Sequence, residues 1–253
     1  MRTPLTLPRL TLLLALLALP AQADALADLK NQLGRLQGGD PVKASVDYSF
    51  WRQVIEDKKP TVTQGKASAQ VEDGPGGVRI AWSRPLLQQA LAESKAQAQN
   101  PEKTAPTRDA LGSFGPLGMS ENLNYASALL REFERAQVEV LQQRAQPWNG
   151  QPATLLLLKA TPKMAESQRK YIKDLKVDAK LWVGQDGLPL AYASAVKFKG
   201  SRFFITFEGS SSDEWHFARV GNRLVVKRVD SENSQSGFGQ QSQRKSTTVV
   251  TVN

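Results

Sequence analysis

Residues 177–229 read VDAKLWVGQDGLPLAYASAVKFKGSRFFITFEGSSSDEWHFARVGNRLVVKRV, five short apolar runs separated by turn signals. Asp186-Gly187 and Gly221-Asn222 are dipeptides that tight two-residue hairpins favour, because Gly, Asp and Asn accept the positive φ such turns demand. Lys199-Gly200 carries a weaker form of the same signal. The stretch therefore predicts an antiparallel meander. A turn at Asp186-Gly187 sets Val183 against Leu190, Leu181 against Tyr192 and Val177 against Val196. A turn at Lys199-Gly200 sets Val196 against Phe203 and Tyr192 against Phe207. Opposed residues share a face of the sheet. Both turns thus place Val177, Leu181, Val183, Leu190, Tyr192, Val196, Phe203, Ile205 and Phe207 together. The other face collects polar residues and alanines, with Trp182 and Phe204 as exceptions, so the sheet has one greasy and one wet face.

The N-terminus belongs to export. Arg2 and Arg9 precede an apolar run from Leu10 to Leu19, and Ala21-Gln22-Ala23 supplies small residues for cleavage after Ala23. This is the pattern of a secretory signal peptide, and ten apolar residues are too few for a membrane span. The chain has no cysteine, which excludes disulfides and a lipoprotein attachment site. The expected mature chain is a periplasmic protein with no transmembrane segment, held together by its core alone. Of 33 Lys and Arg against 24 Asp and Glu, Arg2 and Arg9 lie in the leader, which leaves a net charge of +7. The basic residues are scattered, a balance that suits an anionic envelope surface. Secretion and the lack of a basic, aromatic stripe argue against nucleic acid.

Downstream, Leu26, Leu29, Leu33 and Leu36 stand at helical spacing, and Gly38-Gly39 closes that helix. Strands follow at Val42–Val54, Val62–Val71 and Val78–Trp82. The intervening Asp73-Gly74-Pro75-Gly76-Gly77 is a turn; it lacks the Gly-Lys-Ser/Thr and the following helix of a phosphate loop. Ser83 to about Gln97 reads as a helix, with Pro85 near its start. Asn100–Gly118, rich in Pro, Thr and Gly, reads as a long mobile loop. Ser120 caps a further helix with a stripe of Leu123, Ala126, Leu130 and Phe133. Asn149-Gly150 is the strongest hairpin signal in the chain. The segment from Thr161-Pro162 to Lys176 fits a short helix or an exposed hairpin. Asp230–Lys245, full of Ser, Gln and Gly, reads as loose, with a possible last strand at Ser246–Val252. The expected organisation is a signal peptide at 1–23, one domain over 24–230, and a polar tail at 231–253. Its fold class is α+β: a single curved antiparallel β-sheet, a half-barrel, with helices packed on its apolar concave face.

Chemistry is sparsely marked. One histidine, His216, and no cysteine nearly exclude a His/Cys metal site. The meander register places His216 opposite Lys227, a poor setting for a general base. Carboxylates such as Glu166, Glu208, Asp213 and Glu214 have no spacing that marks a hydrolase pair. The expectation is a protein that is not an enzyme and takes no cofactor. The aromatic and aliphatic residues are more informative. Phe50, Trp82, Leu86, Leu130, Phe133, Leu181, Tyr192, Val196, Phe203, Ile205 and Phe207 would line the space between sheet and helices. They form either a plain core or the wall of an apolar cavity.

Leu156, Leu158 and Pro162, then Trp182, the turn Asp186-Gly187 and Pro189, resemble the outer-membrane lipoprotein carrier superfamily. Its members pass from a strand ending in an L-x-L-x-P-like sequence to a Trp-bearing strand, an Asp-Gly-x-Pro turn and a long returning strand. The likeness covers Leu155 to Phe207 closely and the rest in outline. It implies an incurved half-barrel lidded by helices, often binding lipid or acylated protein. Three functions are then open: a carrier or sensor for an apolar ligand (lipid or lipoprotein), a scaffold binding another envelope protein, and, last, a hydrolase.

Overall fold

The computed structural model describes residues 20–253 apart from Gln37 and Phe203, so residues 1–19 of the expected leader lie outside it. Ten strands form one sheet: β1 (Val42–Glu56), β2 (Lys59–Gly74), β3 (Gly77–Ala81), β4 (Ala136–Ala145), β5 (Ala153–Pro162), β6 (Ile172–Gly184), β7 (Pro189–Arg202), β8 (Ile205–Val220), β9 (Arg223–Gly237) and β10 (Gln240–Val252). Their order is β3-β2-β1-β10-β9-β8-β7-β6-β5-β4, every pair is antiparallel, and the sheet does not close on itself. Helices α1 (Pro20–Gly34), α2 (Arg84–Gln99), α3 (Pro106–Leu111), α4 (Pro116–Leu123) and α5 (Ala126–Arg135), with the single turn α6 (Glu166–Arg169), complete the fold. Among the described residues no helix is long and apolar enough to cross a membrane.

Alternation along the strands decides where the helices sit. On β1 the residues Val42, Ala44, Val46, Tyr48 and Phe50 are all buried, and their neighbours Lys43, Asp47 and Ser49 are exposed. They meet Ala67, Ala69 and Val71 of β2, Phe114, Met119 and Leu123 in one cluster. A second cluster joins Leu29 and Leu33 of α1 and Leu129 and Phe133 of α5 to Leu156, Leu158, Leu181 and Tyr192. Both clusters lie on the same face, because the strand registers carry the parity from Val46 through Val250 on one side and from Leu156 through Leu181 and Tyr192 to Trp215 on the other. The opposite face holds a small third cluster. There Trp148, from the Asn149-Gly150 turn, covers Trp182 at 4.4 Å between ring centres, so the odd tryptophan of the wet face has its own lid.

The meander keeps its first register and loses its second. Leu181 faces Tyr192 and Val177 faces Val196 as expected, although a bulge between Trp182 and Val183 sets Val183 against Pro189 in place of Leu190. The next turn falls between Arg202 and Ile205, where Phe204 takes φ +67, and not at Lys199-Gly200. Tyr192 therefore faces Trp215, and Phe207 faces Gly200. Gly200 is kept in the strand because a side chain there would collide with the Phe207 ring. The two apolar runs around Phe207 and Trp215 are one strand, so the meander has four strands rather than five. A further bulge sets His216 opposite Arg228, one residue on from the expected Lys227.

Two segments expected to lack structure have it. Pro106 and Pro116 stand at the first positions of α3 and α4, where proline's missing N–H costs nothing. Glu93 of α2 accepts hydrogen bonds from the Thr107 N–H and hydroxyl at 2.7 Å each, which fixes α3. The expected long loop thus contains α3 and the first turn of α4, and Ser120 lies inside α4 rather than capping a helix. The stretch expected to be loose, Asp230–Lys245, is the end of β9 and the start of β10, the possible last strand at Ser246–Val252 is the rest of β10, and β10 pairs with β1 over Ala44–Glu56 in the middle of the sheet. Of the two options for 162–176, a short helix (α6) is followed at Ile172 by β6.

Candidate functional site

The candidate lining residues fall into three groups. Phe133 (4% exposed), Leu181 (0%) and Tyr192 (9%) pack in the α1/α5 cluster, and half-buried Leu130 leans on it. Phe50 is buried in the other cluster, with Trp82 and Leu86 against its rim. Val196, Ile205 and Phe207 lie lower on the same face, beyond the helices; Ile205 is exposed and Phe207 half-buried against Phe198 and Phe238. Phe203 lies outside the described residues. These positions therefore share a side of the sheet without sharing one cavity, although Phe50 and Leu86 together border a groove of about 890 Å³.

Between the two clusters the packing leaves an open crevice of about 290 Å³. Tyr48, Phe114, Met119, Tyr125, Trp215 and Thr248 are among its walls. Tyr192 stacks on Trp215 at 5.4 Å, Tyr125 lies 6.2 Å from Trp215 and 5.3 Å from Phe217, and Phe114 meets Tyr48 edge-on at 6.4 Å. The spacings and tilts are those of favourable aromatic pairs. The aromatic walls share the crevice with polar Ser113, Glu121 and Asn122. Burial pushes the Tyr192 phenol up to about 12, and burial with Glu132 nearby raises Tyr125 still further. Alternation at Tyr48 and the stripe next to Tyr125 were visible in the sequence. Nothing there marked Phe114, Met119 or Trp215 as neighbours, because α4 and the β7–β8 register bring them together.

The crevice sits where α4 gives way to α5. Asn124 adopts a non-helical conformation between them, and the Tyr125 N–H donates to the Leu224 carbonyl at 2.7 Å. Asn124 Oδ1 is buried with no partner among the described residues. A buried ion pair, Arg223 to Asp73 at 2.6 Å, ties the start of β9 to β2 across 150 residues of sequence. Below the crevice the helix side of the sheet turns polar, with Ser211, Asp213, Ser231 and Ser246 facing out. Arg244 lies over the Phe50 ring at 4.9 Å and donates to the Tyr48 hydroxyl at 2.7 Å.

Two larger grooves cross the other side of the sheet, the first of them bordered also by Leu86 and Gln89 of α2 and by Pro106 and Thr107 of α3. One of about 890 Å³ crosses from β2 to β8 past Trp51, Lys66, Glu214, Glu232 and Lys245. Another of about 630 Å³ continues past Ile55, Lys176, Lys197 and Glu208. Several charges there are paired, as in Lys245–Glu232 at 3.0 Å and Arg228–Asp230 at 2.5 Å. The Arg228 hydrogen bond holds the Asp230 carboxyl below its usual range. His216 shares this side; its Nε2 lies 2.7 Å from Glu214 Oε1, and Trp148 meets its ring edge-on at 5.3 Å. Its recorded partners are thus a carboxylate and an aromatic ring.

No family model matches the chain, and no curated protein matches it. Among solved structures, a DUF1329 family protein from Desulfovibrio piger aligns over 89% of this chain and 91% of its own at 9% identity. The TM-score is 0.27, a level at which the superposition bears on neither fold nor function.

Proposed function

We propose that the protein is a periplasmic binding protein, a carrier or sensor, for a ligand with an apolar chain such as a lipid or the acyl group of a lipoprotein. One observation carries the reading: an aromatic crevice stays open between two clusters that are otherwise filled. Its volume takes the end of one chain, and the polar strip below it, from Ser246 to Asp213, suits a headgroup. Met119 adapts to the shape of a guest without a fixed rotamer. The break at Asn124–Tyr125 gives α4 a place to pivot and widen the opening. The carboxylate at the crevice, Glu121, is engaged by Arg131, and binding rather than catalysis is the role we assign.

The test is direct. The protein purified from its own cells should carry lipid detectable by mass spectrometry, and an apolar fluorescent dye should compete with it. Met119→Trp fills the crevice and should lower dye affinity about ten-fold or more, in line with the worth of a buried apolar group. A wild-type protein with no lipid and no dye binding rules the proposal out.

The 890 Å³ groove supports a second reading, a scaffold that seats a charged segment of another envelope protein across β2 to β8. Charge reversal at Lys66 and Lys245 would disturb that partner and leave lipid content alone.

A further inference from the structure

At the end of the sheet away from the crevice, three hairpins finish side by side. The β1–β2 turn is Asp57–Lys58, with φ of 49 and 63, and the β9–β10 turn is Phe238–Gly239, with φ of 53 and 80. The β7–β8 turn ends on Phe204. Gln240 donates to Glu56 at 2.8 Å, and Phe207 pairs with Gly237, so the three tips form one rim. Glycines shape it: Phe207 lies over Gly200 and against Gly237, and Phe198 over Gly209, leaving no room for side chains at any of the three. Phe207 stacks on Phe238 at 6.4 Å. A slot of about 300 Å³ remains between Phe198, Phe207 and Phe238.

The rim is apolar where a folded protein has no need of it. Phe204 is 106% exposed, Phe238 64% and Ile205 41%. Turn tips ordinarily carry small or polar residues, and a phenylalanine at positive φ is unusual backbone for that side chain. Around the rings stand cations: Lys58, Lys59, Lys170, Lys173, Lys199 and Arg202, against Glu56, Asp57, Asp174 and Glu208. Lys170 and Arg202 flank the Tyr171 ring at 4.9 and 5.3 Å. Aromatic rings projecting past a basic collar match a lipid–water interface, where rings enter the acyl boundary and cations meet anionic headgroups.

We infer that this rim docks the protein on an anionic lipid bilayer. Phe204 and Phe238 enter the membrane and Lys58 and Lys59 contact headgroups, with the sheet standing away from the surface. The inference does not depend on the crevice: a protein with an empty crevice still docks, and a loaded one that ignores membranes overturns this proposal alone.

Co-sedimentation tests it, using the processed protein purified from cells and vesicles of phosphatidylcholine with or without phosphatidylglycerol. Binding should require phosphatidylglycerol and weaken as salt is raised. Phe204→Ser with Phe238→Ser should weaken it by roughly ten-fold or more for each ring withdrawn from the membrane. Lys58→Gln with Lys59→Gln should cost roughly five-fold per charge. Leu117→Ser removes an 83% exposed apolar side chain from α4, far from the rim, and should change nothing. Unchanged urea midpoints in the variants show that they still fold. No binding to the phosphatidylglycerol vesicles, or equal losses for the Leu117 and phenylalanine variants, overturns the inference.

Discussion

Leu181 and Phe207 both belong to the greasy face of the meander, yet they differ in what surrounds them. Leu181 is 0% exposed between Leu156 and Tyr192, so Leu181→Ala should cost about 2–5 kcal/mol. Phe207 lies half-exposed over glycines at the rim, and Phe207→Ala should cost clearly less than the ~3–5 kcal/mol of a buried ring. Thr206→Lys, on the exposed side, should stay within about 0.5 kcal/mol. Denaturant melts of the three variants check the ordering; equal losses for Leu181→Ala and Phe207→Ala would contradict it. The faces were legible in the sequence because the true β7–β8 register differs from the expected one by eight residues, an even number, which preserves parity. The partners were not legible, since Lys199-Gly200 imitates a turn while its glycine serves the Phe207 ring. Tyr192 supplies a pH test. Its phenol ionises near 12 in the folded state and near 10 when free, so the folded form holds its proton over that interval. Its stabilising share is complete below pH 10 and lost as pH rises toward 12. The urea midpoint should fall across that window, and Tyr192→Phe should flatten the fall.

The elements that surprised were those without a greasy face. The end of β9 and the start of β10 are rich in Ser and Gln because beyond the helices both faces of the sheet meet water. Alternation, the main strand signal, is therefore missing. Their register is held by backbone ladders and by cross-strand polar pairs such as Ser210–Ser234 at 2.8 Å and Thr247–Asp230 at 2.7 Å. Composition alone then reads as a loose tail. The same limit hid α3 and α4, whose prolines are loop signals until a helix is seen to begin on them. The expected Asn124-spanning helix likewise divides in two, and the crevice follows from that division. Deleting residues 238–253 should abolish cooperative unfolding altogether, because it strips a thirteen-residue pairing from β1. Circular dichroism melts of the truncated chain read this out. A tail that could be cut without loss would mean that β10 does not hold the sheet together.

For the whole molecule the sheet's edges and its middle tell different stories. β3 is only five residues long, and β4 carries Glu139, Arg144 and a bulge at Leu141, devices that discourage pairing with another chain. The middle has no such protection until late. β1 is made early, and the strand that must lie beside it is the last in the chain. All of β2 to β9 lies between them in sequence, so until β10 arrives the long inner edge of β1 is an unsatisfied template. Assembly of the sheet therefore waits on β10, and a chain that lacks it holds two half-sheets with nothing to join them.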